Sequence, residues 1–169
     1  GGVGVISAAG LGLIHRNSAL DYVQANIEGL KIEIQNAKEK TKGIIGVNIM
    51  VAMTNFAELA KAAIKEKVDI IFSGAGLPLE LPGFLNTEST TKLVPIVSSG
   101  RAAKIICQKW KSSYDYLPDA FVVEGPKAGG HLGFKKDQIY DDNYSLEELI
   151  PEVVNEVEIF EEQFEKKIP

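Results

Sequence analysis

The chain has 169 residues, of which 45% are hydrophobic, and a formal net charge of −5. This length and composition predict a single domain over residues 1–169 with a packed core. The acidic balance and the lack of a basic stripe argue against a nucleic-acid partner. No apolar run approaches the ~20 residues that cross a bilayer, so we expect no membrane contact and a cytoplasmic location.

Five short apolar segments predict β-strands, because each is bounded by glycine, proline or small polar residues. They lie near residues 3–7, 44–50, 68–73, 93–97 and 120–124. Segments with helical periodicity separate them, and from the second strand onward the strand centres recur about every 24–28 residues. This spacing is typical of βα units, which form a parallel sheet with right-handed crossovers.

Four longer helices are predicted between and after these strands. Ser18 is a candidate N-cap for a helix over 18–42, and Asn55 is one for a helix over 56–67. A third helix is expected over 101–110, with Ala102, Ile105, Ile106 and Trp110 inward. Ser145 and Glu148 form a capping-box pattern before a helix over 146–167. The single cysteine, Cys107, falls in the apolar phase of its helix and is interpreted as buried core.

Glycine and polar residues follow the ends of these strands. Asn48 lies near the end of the second strand, where it either bonds to backbone in the core or holds a ligand; we favour the ligand. Gly74 and Ala75 follow the third strand in a loop of small residues. Small residues also form the expected loop after the first strand, which ends near Ser7.

The fifth strand ends at Glu124 and opens into a glycine-rich loop that contains Gly129, Gly130 and His131. Glycines without side chains allow close approach of a ligand, and an imidazole at that point suits a general base. The alternative, an ordinary turn with an exposed histidine, stays open on these residues alone. The other histidine, His15, is interpreted as a surface residue.

The polar segment over 134–144 contains three aspartates, but their spacing matches no calcium loop. We therefore predict a solvated loop or lid there, and no metal site. The special residues all follow strands, which indicates the C-terminal face of a (β/α)₈ TIM barrel. Five strands are present where a barrel needs eight, so we expect a partial barrel cut from a longer protein at both ends.

The chain resembles the nitronate monooxygenases, formerly called 2-nitropropane dioxygenases, and their relative enoyl-acyl-carrier-protein reductase II. The resemblance covers nearly the whole chain in order, and the matching segments are Gly1-Gly2-Val3-Gly4-Val5-Ile6, Gly46-Val-Asn-Ile-Met50, Ser73-Gly-Ala-Gly76, Val94-Pro-Ile-Val97 and Glu124-Gly-Pro-Lys-Ala-Gly-Gly-His-Leu-Gly133. Members of this family are FMN-binding (β/α)₈ barrels. The resemblance implies that His131 is the catalytic base and that six residues approach the flavin: Asn48, Gly74, Ala75, Glu124, Gly129 and Gly130.

The resemblance further implies FMN-dependent oxidation of alkyl nitronates or nitroalkanes by O₂ to carbonyl compounds and nitrite. Two alternatives stay open. One is reduction of an enoyl thioester by NAD(P)H through FMN; the other is a catalytically silent barrel fragment. The loops that hold the FMN phosphate in the family lie outside this chain. The expected partner is a small-molecule substrate, with a homodimer as an open assembly state.

Overall fold

A computed structural model describes residues 2–15, 21–131 and 133–169. Strands and helices alternate along the chain, with three short 3₁₀ turns at Leu81–Phe84, Lys136–Gln138 and Asp142–Tyr144. In chain order the strands and helices are β1 (Val3–Ser7), α1 (Leu11–Ile14), α2 (Tyr22–Lys40), β2 (Ile44–Met50), α3 (Phe56–Lys65), β3 (Ile70–Gly74), β4 (Lys92–Val97), α4 (Gly100–Tyr114), β5 (Val122–Val123) and α5 (Leu146–Phe164).

The five strands form one parallel sheet in the order β1-β2-β3-β4-β5. In β1 and β2, Val3 is opposite Ile44 and Ser7 is opposite Asn48. In β4 and β5, Ile96 is opposite Val122. Because neighbours in the sheet are also neighbours in sequence, this is the topology of consecutive units of a (β/α)₈ barrel. The predicted fold, a partial barrel with five of the eight strands, is confirmed.

The chain divides into two compact units. The first comprises Gly1–Ser73 and Gly83–Leu93, and the second comprises Gly74–Pro82 and Val94–Pro169. The organisation of residues 1–169 as a single domain therefore stays a prediction. Within the described ranges, no helix is both long enough and apolar enough to cross a bilayer.

β4 begins one residue earlier than predicted, at Lys92, and the bounds of β3 and β5 differ from the prediction because nearby backbone groups make other hydrogen bonds. β3 begins at Ile70, since the amide of Val68 still bonds to the carbonyl of Ala63 at the end of α3, at 3.2 Å. β5 is reduced to Val122–Val123, and the amide of Phe121 donates instead to the carbonyl of Pro169 at 2.7 Å.

The first helical region also differs from the prediction. α2 begins at Tyr22, and its N-cap is Asp21, whose carboxylate accepts from the amide of Gln24 at 2.9 Å. Ser18, the predicted cap, lies outside the described residues. Part of the expected loop after β1 is the short helix α1, which starts after Gly10 in the left-handed conformation at φ 73°. The amide of Gly12 then donates to the buried side chain of Asn26 on α2, at 3.0 Å.

The predicted caps of α3 and α5 occupy the N-cap positions, but neither side chain makes a capping hydrogen bond. At α5 the amide of Glu148 bonds to the backbone carbonyl of Ser145, at 3.1 Å, rather than to its hydroxyl. At α3 the side chain of Asn55 is buried, and its Nδ2 has no hydrogen-bond partner among the described residues.

The apolar face of α5 is buried as predicted and consists of Leu149, Val153, Val157 and Phe160. α4 is longer than predicted, and its buried face is rotated, with Ala103 and Cys107 inward while Ala102 and Ile105 are only half-buried. Trp110 on α4 is fully buried, and its indole Nε1 donates to the carbonyl of Pro78 at 2.9 Å. This bond satisfies a buried donor that would otherwise destabilise the core.

Cys107 gives a direct test of this packing. The thiol is buried, and burial raises its pKa to about 12 because the thiolate would lose its hydration, although Lys166 partly offsets this. Since the thiolate is the reactive species, we expect alkylation of Cys107 at pH 8 to be at least ~100-fold slower in the native protein than in denaturant. Mass spectrometry of the peptide that carries Cys107 measures both rates. Equal rates would contradict the burial of this thiol.

Candidate active site

The carboxyl ends of β3, β4 and β5 surround a cavity of about 310 Å³. All of its lining belongs to the second compact unit. The apolar part of the lining is Ala75, Leu77, Ile96, Val97 and Ala102, and the remainder is Gly76, Ser98, Glu124, His131 and Gly133. The cavity therefore brings together three of the predicted site residues, Ala75, Glu124 and His131.

The loop after β3 turns sharply at the cavity. Ala75 adopts φ 53° and Gly76 adopts φ 130°. Residues with a Cβ rarely adopt a positive φ. Gly74 has a packing reason for its small size, since an added Cβ would lie 2.8 Å from Cβ of Ile96. Gly74 is buried and does not contribute to the described lining of the cavity.

Glu124 is held at the end of β5 by its backbone. Its amide donates to the carbonyl of Val97 at 2.8 Å, which continues the β4–β5 pairing by one residue. The residue is half-buried, and it also lines a second cavity of about 640 Å³ that includes Val122, Tyr140 and Leu146. Glu124 thus borders two cavities where the strand ends.

Two of the glycines after Glu124, Gly129 and Gly130, have open space at the Cβ position. A Cβ added at Gly129 or Gly130 would meet no atom within 4 Å, and Gly130 adopts φ 85°. Neither glycine lines the described part of the 310 Å³ cavity. Their backbone is therefore accessible to a bound molecule, and Gly130 additionally needs glycine for its conformation.

His131 is exposed and lines the cavity. Its imidazole makes no hydrogen bond or ion pair with the residues that the structure describes, so both ring nitrogens are accessible to a ligand. His15 is different: its Nε2 lies 2.6 Å from Oε1 of Glu33, so the predicted surface histidine is half-buried and hydrogen-bonded.

Asn48 belongs to the first compact unit and lies near the end of β2. It is half-buried, and its backbone carbonyl accepts from the amide of Ala8 at 3.0 Å. The side-chain amide makes no hydrogen bond within the described residues. The sequence left open a hydrogen bond between this side-chain amide and the backbone. No such bond is present among the described residues.

Ser98 and Gly133, which were not among the predicted site residues, are in close contact at the cavity. A Cβ added at Gly133 would overlap the hydroxyl of Ser98 and lie 3.1 Å from its Cβ. The sequence signals were that Ser98 follows the end of the fourth strand and that Gly133 closes the motif that begins at Glu124. Contact between residues so far apart in sequence cannot be read from local pattern.

The lining is chemically suited to the ring system of FMN. A flat heteroaromatic ring needs apolar surface for its faces and hydrogen-bonding groups at its edge. The apolar surface is supplied by Ala75, Leu77 and Ile96. The hydrogen-bonding groups are supplied by Ser98, Glu124 and His131. The volume is at the lower end of the ~300–1,000 Å³ of ligand pockets, which suits a ring better than a ring with its phosphate chain.

Comparison with known proteins gives a family and several relatives. The model of the nitronate monooxygenase family matches residues 22–169. A curated protein from Thermoplasma volcanium, described as a cobalt-precorrin-5B C(1)-methyltransferase, is 29% identical over 153 residues, which cover 83% of this chain and 38% of that protein.

Two similar solved structures are of FabK from Thermotoga maritima. A point mutant superposes with a TM-score of 0.62 at 28% identity, over 77% of this chain and 38% of that one. A second FabK structure superposes with a TM-score of 0.60 at 26% identity, over 77% and 36%. The chain therefore spans between 36% and 38% of the length of these relatives.

The contact between Gly133 and Ser98 predicts unequal effects of alanine in this loop. Gly133→Ala should lower the free energy of unfolding by about 1–3 kcal/mol, because the new methyl group overlaps the serine hydroxyl. Gly129→Ala, the matched control in open space, should stay within about 0.5 kcal/mol of wild type. Urea unfolding followed by circular dichroism measures both.

Adding Ser98→Ala to Gly133→Ala removes the overlapping hydroxyl. The double variant should recover most of the lost stability, because the two residues are in contact and their effects are coupled. Additive losses in the double variant would show that the two residues do not meet at the cavity.

Proposed function

Because this chain belongs to the nitronate monooxygenase family, we propose that the whole protein is an FMN-dependent enzyme that oxidises alkyl nitronates and nitroalkanes with O₂ to carbonyl compounds and nitrite. The family and the FabK structures support an FMN-type oxidoreductase. The observation that carries the finer proposal is that His131 and Glu124 line one cavity at the carboxyl ends of the strands.

FMN, when bound, supplies the electron transfer and the oxygen chemistry. We assign its contacts to Asn48, Gly74, Ala75, Glu124, Gly129 and Gly130. The open backbone at Gly129 and Gly130 supports this assignment most directly, because a flat ligand can approach there without meeting a side chain. At Gly74, packing against Ile96 also accounts for the glycine.

His131 has the role of general base. An unprotonated ring nitrogen takes the proton from the carbon next to the nitro group of a neutral nitroalkane, and the negative charge moves onto the nitro oxygens. Backbone amides of the glycine-rich loop donate to those oxygens and stabilise the charge. The accessible imidazole supports this role, since no described residue occupies either ring nitrogen.

A second candidate function is reduction of an enoyl thioester by NAD(P)H, the activity of enoyl-acyl-carrier-protein reductase II. The similarity to FabK favours it. Rapid flavin reduction by NADH or NADPH, followed by oxidation with an enoyl thioester, would support this candidate, whereas release of nitrite from a nitronate would support the first. A protein that purifies without flavin absorbance would support a catalytically silent fragment.

The Thermoplasma relative is described as a methyltransferase, but we do not propose methyl transfer for this protein. This chain covers only 38% of that protein, and the family match over residues 22–169 concerns another chemistry.

The role of His131 predicts a difference between two substrates. A neutral nitroalkane must lose a carbon-bound proton, whereas a preformed nitronate has already lost it. His131→Asn in the whole protein should therefore lose about 10²–10⁴-fold in rate on the nitroalkane but retain much of the rate on the nitronate. Nitrite release measures both rates, and flavin absorbance confirms that FMN is still bound.

The matched control is His15→Asn, since the chain has two histidines and His15 bonds to Glu33. This variant should keep both rates. Equal losses on the two substrates in His131→Asn would show that His131 orients a ligand rather than accepting the proton.

The proposed contact of Asn48 with FMN predicts a loss of affinity. Asn48→Leu removes the amide and should weaken FMN binding by roughly one to two decades, the equivalent of about 1–3 kcal/mol for one buried hydrogen bond. Titration of the apoprotein with FMN measures the dissociation constant. Asn155→Leu, at an exposed position on α5, is the control and should leave it unchanged. Unaltered affinity in Asn48→Leu would assign this asparagine a structural role.

A further inference from the structure

A further cavity, of about 400 Å³, lies beside the C-terminal end of α3, and we call it the α3 cavity. Its lining from this part of the chain is Lys61, Ile64, Lys65 and Lys67, and the rest comes from residues 84, 86 and 88–91. All of these residues belong to the first compact unit. None of them lines the candidate active-site cavity or is among the residues that we assign to FMN.

Hydrogen bonds join the two sides of the α3 cavity. Thr91 Oγ1 donates to the carbonyl of Val68 at 2.8 Å, and the amide of Lys92 donates to the carbonyl of Asp69 at 2.8 Å. Both bonds connect the segment that precedes β4 to the segment that follows α3. They therefore fix the residues before β4 beside the end of the helix.

Three lysines line this cavity, in a chain whose net charge is −5. Lys61 and Lys65 are four residues apart, which places them on the same side of α3. Lys67 follows the helix, and all three side chains are exposed and make no ion pair with the residues that the structure describes. One carboxylate, that of Glu88, also lines the cavity and pairs with none of them. The cavity therefore has an excess of positive charge that no described residue neutralises.

The end of the helix does not by itself explain Lys67. This residue adopts φ 54°, and its amide donates to the carbonyl of Ile64 at 2.9 Å, while the amide of Val68 donates to the carbonyl of Ala63 at 3.2 Å. These bonds form a Schellman motif, in which the left-handed position is usually glycine because a Cβ is unfavourable there. Glycine would suit the backbone better, so the lysine side chain needs another reason.

The C-terminal end of a helix repels anions, but a lysine on another helix offsets this effect here. Lys38 on α2 donates from Nζ to the carbonyls of Glu66 and Lys67, the second at 3.0 Å. A cation at this position stabilises the partial negative charge of the last carbonyls. The ammonium groups of the three lysines that line the α3 cavity are therefore available to a ligand.

The remaining lining adds apolar surface and a hydroxyl group. Ile64 is buried, Phe84 is half-buried, and Lys61 Nζ lies 5.2 Å from the centroid of the Phe84 ring. Thr90 is exposed, and its hydroxyl makes no hydrogen bond within the described residues. Ammonium and hydroxyl groups donate to phosphate oxygens, whereas apolar surface suits an organic group. The volume lies within the ~300–1,000 Å³ of small-molecule pockets, so it can hold both.

We infer that the α3 cavity binds the phosphate monoester of a small organic molecule. The phosphate lies among Lys61, Lys65 and Lys67, and the organic group lies against Phe84. A phosphate monoester carries about two negative charges above pH 7, which favours it over a singly charged anion where three cations line one cavity. Because the lysines are exposed, the dissociation constant is on the order of 0.1–1 mM at low salt, and added salt weakens binding.

The first experiment compares three anions by isothermal titration calorimetry of the whole protein with saturating FMN. Phenyl phosphate should bind at least about threefold more tightly than inorganic phosphate, because its ring adds apolar contact. It should bind at least about tenfold more tightly than benzenesulfonate, which has the same ring but one negative charge. Phenyl phosphate that binds no more tightly than either of the other two anions would overturn the proposal.

Variants then locate the site. Lys65→Gln should raise the dissociation constant of phenyl phosphate at least about threefold, because it removes one charge-assisted contact, whereas Lys65→Arg should stay within about twofold of wild type. The matched control is Lys109→Gln, which removes one charge from an exposed position on α4 and should leave the affinity unchanged. Unchanged affinity in Lys65→Gln, or an equal loss in Lys109→Gln, would place the anion elsewhere and overturn the proposal.

Lys67→Gly separates ligand binding from stability. Glycine relieves the left-handed backbone, so the melting temperature should stay the same or rise, while the dissociation constant of phenyl phosphate should rise at least about threefold. A lower affinity in this variant therefore cannot be caused by unfolding. Unchanged affinity would remove Lys67 from the site and overturn the proposal.

A lipid headgroup is the other source of a phosphate monoester. Vesicles of phosphatidylcholine with phosphatidic acid should not co-sediment with the whole protein, because the proposed ligand is a small molecule that enters the cavity from solution. Co-sedimentation that Lys65→Gln and Lys67→Gly abolish would assign these lysines to a membrane surface and overturn the proposal.

Discussion

The hydrogen bond from the amide of Glu124 to the carbonyl of Val97 positions most of the candidate site. β5 has only two residues in its ladder, and this bond extends the pairing to the residue where the strand ends. In parallel strands the residues that follow paired positions leave the sheet at the same edge. The bond therefore brings the glycine-rich loop after Glu124 to the same edge as Ser98, so that Gly133 and Ser98 come into contact.

The glycines of the candidate site have two different kinds of surroundings. Gly74 and Gly133 are small because a neighbouring side chain, Ile96 or Ser98, occupies the space that a Cβ would take. A Cβ added at Gly129 or Gly130 would meet no atom of the described residues within 4 Å, so packing does not explain these two glycines. Glycine thus occurs in one loop both where a neighbouring side chain leaves no room for a Cβ and where the Cβ position is open, and only the three-dimensional surroundings distinguish the two cases.

The buried face of α5 was predictable from the sequence, whereas that of α4 is rotated from the predicted one. The buried positions of α5 follow from the spacing of Leu149, Val153, Val157 and Phe160, because a 3.6-residue period leaves one face towards the sheet. The caps were less predictable. Ser145 and Asn55 occupy N-cap positions, yet the amides near Ser145 use its backbone carbonyl, and Asn55 is buried. A capping motif indicates that a side-chain hydrogen bond to the helix N-terminus is possible. The local backbone conformation determines whether that bond forms.

The sequence by itself determined the α/β class, the five strands in order and the family, because apolar periodicity and the motif from Glu124 to Gly133 are local properties of the chain. It also indicated that Ala75, Glu124 and His131 follow strand ends. Tertiary structure decided which of these residues share a cavity, that Ser98 and Gly133 belong to it, and that His15 bonds to Glu33. The physical reason is that such contacts depend on strand register and on helix rotation, which arise from packing between segments far apart in the chain.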